Sequence, residues 1–146
     1  MPTMTAAQKR AQAKADYNAF LAGCPSRQLL DRISDKWVAL TLAALGSEGP
    51  YDSRGDGVGE PRPMRYSEVS RRLAGVSQKM LTQTLRSLER DGLIARTVTP
   101  TVPVTVTYAL TDLGLSLQQM MRDIKQWAEA HMDEVLANRK EYDIGA

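Results

Sequence analysis

The recurrence of apolar and polar positions divides the chain into segments of different period. Residues 4–22 are Ala-rich with Gln, Lys and Arg interspersed, end in Tyr17, Phe20 and Leu21, and predict a helix stopped by Gly23 and Pro25. Ser26 stands as the expected N-cap of a second helix, in which Leu29, Leu30, Ile33, Trp37, Leu40, Ala44 and Leu45 recur at helical spacing up to Gly46. That spacing predicts one long, deeply packed helix. Residues 46–63 then hold five Gly and three Pro with almost no apolar content, the composition of an exposed loop.

Beyond the loop, Met64, Arg65 and Tyr66 predict a very short strand, and Ser67 with Glu68 opens a short helix to about Leu73, closed by Ala74 and Gly75. From a cap at Ser77, Leu81, Leu85 and Leu88 stack on one side of the next helix, while Lys79, Gln83, Arg86 and Arg90 gather on the other, with Thr82 flanking them. Asp91 and Gly92 end it. Two β-rich runs follow, 93–99 and 104–110, joined by a PTVP turn whose prolines are unsuited to a central strand. From a cap at Thr111, Leu113, Leu117, Met120, Ile124, Trp127, His131 and Val135 form one apolar stripe of about six turns.

This order predicts a mostly α fold with a small β-hairpin wing (α+β): a winged helix-turn-helix with extra helices at both ends. The apolar stripe 113–135 and the Ala-rich first helix are more than a chain this small covers by itself, so we expect N- and C-terminal dimerisation helices. The alternative is that the stripe packs on the protein's own core. We expect a single domain over 1–146, with the N-terminal dimerisation helix at 1–22, the DNA-binding core at 26–110 and the C-terminal dimerisation helix at 111–138. An amphipathic helix with a cationic outer face fits a B-DNA major groove, and a hairpin directly after it is placed to touch the backbone or minor groove.

Charge sharpens this picture. The formal net charge is only +2, but residues 62–96 carry eight basic and three acidic side chains, while 97–146 carry four and seven. A basic helix-turn-helix block is thus offset by an acidic C-terminal segment. One cysteine, Cys24, excludes an intramolecular disulfide, and one histidine, His131, leaves a metal site improbable. We expect no cofactor, no membrane segment and a cytoplasmic protein. No phosphate loop, GxSxG or HExxH motif is present, so the chain is not expected to be an enzyme.

The residues also resemble a known family. CysPro at 24 and 25, LDRISDKW (30–37), MRYSE (64–68), GVSQKMLTQTLRSLERDGLIART (75–97), PTVPVTVTYALTDLG (100–114) and WAEAH (127–131) resemble the HxlR-type bacterial transcriptional regulators, a branch of the MarR-like winged-helix dimers. The resemblance implies a homodimer built by the terminal helices, placing two recognition helices in successive major grooves of a near-palindromic double-stranded operator. The chain departs from the family pattern at Ser34 and Asp35, where two glycines are usual, and in the length of the 46–63 loop.

For DNA we single out Gln83 and Arg86 as base readers, because Gln pairs with adenine and Arg with guanine, with Thr82 able to meet a thymine methyl and Lys79 beside them. Ser77 and Gln78 lie at a helix start, where free amides attract phosphate. Lys36 and Arg65 are backbone anchors, Arg96 and Thr101 are the wing contacts, and Arg90 ranks below them. Each has a plain alternative as a solvated side chain. Cys24 precedes a helix start whose dipole lowers a thiol pKa. By resemblance, some family members sense oxidants or electrophiles at the matching cysteine; the other reading is a small packing residue. Trp37, Met120, Met121 and Trp127 are candidate lining for a small-molecule effector pocket, or plain core. The leading functional expectation is a homodimeric repressor responding to a redox, electrophile or small-molecule signal. The alternative is a winged-helix protein-protein assembly module without specific DNA binding.

Overall fold

A computed structural model describes residues 2–46 and 60–145. Most of the expected 46–63 loop, residues 47–59, lies outside the described residues. Six helices and a three-stranded antiparallel sheet are described. They separate into two compact units, Met1–Lys36 and Trp37–Ala146.

The first unit holds α1 (Ala6–Gly23) and α2 (Pro25–Ile33). Thr5 caps α1 reciprocally with Gln8: the Gln8 amide donates to Thr5 Oγ1 at 3.2 Å, and the Thr5 amide donates to Gln8 Oε1 at 2.8 Å. No residue of α1 is buried, and Tyr17 and Phe20 stack on each other while remaining exposed. Within this unit α1 packs on α2.

The expected long helix from Ser26 to Leu45 is in fact two. The first starts earlier, with Cys24 at the N-cap and Pro25 in the first turn, where proline's missing N–H costs nothing. It ends at Ile33, and α3 (Lys36–Leu45) begins after a bend at Ser34 and Asp35. Ser34 Oγ donates to the Asp31 carbonyl at 3.4 Å, one of the local bonds by which serine competes with helix continuation. The interruption falls on the two positions that depart from the family pattern.

In the second unit, β1 (Met64–Arg65), α4 (Tyr66–Arg72), α5 (Gln78–Arg90), β2 (Ile94–Thr99), β3 (Thr105–Leu110) and α6 (Asp112–Gly145) follow α3 in the expected order. The strands lie in the order β1-β3-β2, with Met64 opposite Tyr108 and Arg96 opposite the same residue from the other side. Helix α4 begins one residue before the expected Ser67, and α6 extends past the expected 138 to Gly145.

The core joins Leu42 and Leu45 of α3, Met64, Val69 and the α5 leucines Leu81, Leu85 and Leu88, all 2% exposed or less. Each buried leucine contributes about 1.5–3 kcal/mol relative to exposure. Turning α5 over would expose three of them, so the opposite, cationic face is held outward. The stripe on α6 divides: Leu117 is buried, beside Gly114 and Gln118 of the same helix, whereas Leu113, Met120, Ile124 and Trp127 are exposed.

The α5 helix closes with Gly92 at φ +74, whose amide donates to the Glu89 carbonyl while Leu93 N–H donates to the Leu88 carbonyl, both at 3.0 Å. Thr111 then ties this turn to α6. Its hydroxyl donates to the Gly92 carbonyl at 2.6 Å and accepts from Gly114 N–H at 3.1 Å, and its amide donates to the Leu93 carbonyl at 3.1 Å. A Cβ at Gly114 would collide with the Leu93 carbonyl oxygen. Helix propensity alone would give Gly114→Ala a gain of about 1 kcal/mol, but the collision is with backbone. The expected outcome is a loss of about 1–3 kcal/mol in urea unfolding; a variant as stable as the parent would show that α6 does not approach this turn so closely.

Candidate nucleic-acid interface

Helices α4 and α5 are joined by residues 73–77, in which Gly75 adopts φ +86 and Ser77 caps α5 by accepting from Met80 N–H at 3.0 Å. The helix geometry leaves the amides of Gln78 and Lys79 without an intrahelical acceptor, and they form the positive end of α5. The two helices are also pinned by a side chain. Tyr66 Oη donates to the Gln78 carbonyl at 3.1 Å and lies 3.5 Å from Thr82 Oγ1.

On the outer face of α5, Ser77, Gln78, Lys79, Gln83, Arg86 and Arg90 are all exposed, and Thr82 is half-buried at the edge. Between α5, α4 and the sheet runs a polar cleft of about 350 Å³, to which Arg86 and Glu89 of α5 and Arg96 of β2 all contribute. Tyr66, Thr82, Leu85 and Tyr108 complete its lining. The hairpin therefore brings Arg96 beside the cationic face of α5, next to Arg86, a juxtaposition of residues ten apart in sequence. Among the described residues no ion pair joins Glu89 to either arginine.

The other sequence-predicted contacts are dispersed. Thr101 sits at the hairpin tip, exposed, with its hydroxyl donating to the Pro103 carbonyl at 2.8 Å. Arg65 is exposed on β1 just before α4. Lys36 is exposed at the first position of α3 and falls in the first unit. Behind Arg65, Glu68 accepts from Arg62 Nη1 at 3.1 Å. Partial burial pushes the Glu68 carboxyl up, but the Arg62 bond, the Arg65 amide and the charges of Arg62 and Arg71 outweigh it and hold the group below the usual carboxylate value.

Cys24 is a free, half-buried thiol at the start of α2. The amides of Arg27 and Ser26 favour its thiolate and, against a smaller opposing effect of burial, lower its pKa, although neither completes a side-chain cap bond. Trp37 and Met121 are half-buried, and Met120 and Trp127 are exposed, so none of the four candidate pocket residues is enclosed. His131 is exposed and packs against Trp127 with ring centroids 4.9 Å apart.

Reading from sequence missed Tyr66 and Glu89. Tyr66 lies 12 and 16 residues from its partners, a separation with no periodic signature. Glu89 stands between Leu88 and Arg90, and nothing in that spacing signals that it lines a cleft with Arg96.

A short helix, a tight turn, a second helix with a cationic outer face and a flanking hairpin define a winged helix-turn-helix transcriptional regulator of the DNA-binding type. Residues 58–136 match the model of the HxlR-like helix-turn-helix family. The HTH-type transcriptional regulator YtfH of Escherichia coli K12 is 38% identical over 124 residues, covering 85% of this chain and 87% of that protein. Among solved structures, the transcriptional regulator ytfH from Salmonella typhimurium is 37% identical with a TM-score of 0.62, covering 83% of this chain and 96% of that one. The redox regulator HypR in its reduced form is 31% identical with a TM-score of 0.63, covering 78% and 99%. The chain belongs to the HxlR-like helix-turn-helix family. Among the described residues no helix is long and apolar enough to cross a membrane.

Proposed function

We propose that the protein is a homodimeric repressor that reads a near-palindromic operator with α5 of each subunit in the major groove and occludes a promoter. The observation that carries this reading is the outer face of α5, where Lys79, Gln83, Arg86 and Arg90 are exposed together, opposite the buried leucines. Gln83 and Arg86 read bases, and Lys79, the α5 amides and Arg96 grip phosphates. Lys36, Arg65 and Thr101 extend the backbone contacts, and Arg90 ranks below them. The exposed apolar residues of α6 and the unburied α1 supply the two-fold interface. The single-domain division into terminal dimerisation helices and a central DNA-binding core accompanies this reading.

For the signal we favour Cys24. Its lowered pKa favours the nucleophilic thiolate, and the similar HypR is a redox regulator. With no second cysteine in the chain, oxidation joins two subunits or adds a small thiol. The Trp37, Met120, Met121 and Trp127 region is the second-ranked place for a signal, as a small-molecule pocket. Binding to the DNA upstream of the protein's own gene, measured with and without diamide, tests both halves. The parent is expected to form a sequence-specific complex that diamide alters, and Cys24→Ser to form the same complex without the response. No complex at low salt would favour the assembly-module alternative, and an unchanged response in Cys24→Ser would end the role given to the thiol.

A further inference from the structure

Tyr66 opens α4, outside the cationic face, yet its hydroxyl reaches the first turn of α5. A phenol has one proton to donate, and a backbone carbonyl accepts only. The 3.1 Å bond to the Gln78 carbonyl therefore commits the Tyr66 proton. At the neighbouring 3.5 Å contact, Thr82 is then left as the donor and Tyr66 as the acceptor. The distance is long for a hydroxyl pair, so the contact orients more than it binds.

We propose that Tyr66 is a positioning residue that sets what Thr82 presents to DNA; the inference rests on the DNA-reading role given to α5 above. With its proton turned toward Tyr66, Thr82 offers the major groove its methyl group and acceptor lone pairs. That set suits a thymine methyl or the amino group of adenine or cytosine, and it does not donate to the acceptor edge of guanine. Removing the phenol oxygen leaves only the helical bond of the Thr82 amide on the Gln78 carbonyl. That carbonyl stands four residues before Thr82, the position to which a helical threonine donates when nothing else holds it. The hydroxyl then rotates toward that carbonyl, the methyl and lone pairs move with it, and discrimination at the base pair beside Thr82 relaxes.

Selection of binding sites from random double-stranded DNA, run on the parent, Tyr66→Phe, Thr82→Val and the double variant, tests this. Tyr66→Phe keeps the ring and is checked for folding by its thermal transition. It is expected to retain the parent's preferences at all but one or two adjacent positions of each half-site. There, the preference falls roughly fivefold, the range of one hydrogen bond. Adding Tyr66→Phe to Thr82→Val is expected to change nothing further. An unchanged profile, a uniform loss at every position, or additive effects in the double variant would each overturn the inference. A parent that enriches no sequence would overturn both this inference and the DNA-reading role beneath it, whereas a specific parent with an unaltered Tyr66→Phe profile would leave that role standing.

Discussion

Trp127→Glu is expected to leave the subunit folded, dissociate the proposed dimer, and lower affinity for the proposed operator about 100-fold or more, the scale on which two linked binding events exceed one. The side chain is 56% exposed on α6, near Ile124 at 51% and Met120 at 43%, so the charge meets no core of its own subunit. Large apolar side chains left this open along one face are what a two-fold interface covers, and a carboxylate placed there would have to be buried against apolar surface on association. Light scattering gives the mass and a binding titration gives the affinity. A Trp127→Glu protein that stays dimeric would remove α6 from the interface.

The second large effect is expected at Arg86. Replacing it with alanine removes a bidentate partner for guanine and costs about 1–3 kcal/mol of operator binding, concentrated at one base pair. Lys79→Ala, about two helical turns closer to the start of α5, is expected instead to weaken all sequences alike and to reduce the salt dependence by about one counterion. Both residues are exposed, so neither change reaches the core. A uniform loss for Arg86→Ala would reassign that residue to the phosphate backbone, where Arg96 lies across the same cleft.

The features legible in the sequence were those encoded locally. The leucines at 81, 85 and 88 set the face of α5, Ser77 and the glycines at 75 and 92 set its ends, and the β-rich runs around PTVP set the hairpin register. What escaped was decided by tertiary context or by local competition that periodicity does not see. The apolar spacing from Leu29 to Leu45 continues smoothly across Ser34 and Asp35, because two helices in succession satisfy it as well as one, yet the chain bends there. The α6 stripe reads as uniform, yet Leu117 is buried within its own unit while Trp127 is not. The cationic face was evident residue by residue; that Arg96, Arg86 and Glu89 share one cleft, with Tyr66 holding the first turn of α5, depends on the packing of the hairpin and α4 against that helix.

The central claim, that the exposed face of α5 and its wing grip DNA, is tested most directly by operator affinity as a function of salt. With four cationic backbone contacts per subunit, from Lys36, Arg65, Lys79 and Arg96, the logarithm of the association constant should fall linearly with the logarithm of salt concentration. That fall amounts to about ten-thousandfold between roughly 50 and 200 mM. An affinity that barely changes over that range, or no binding at its lower end, would contradict it.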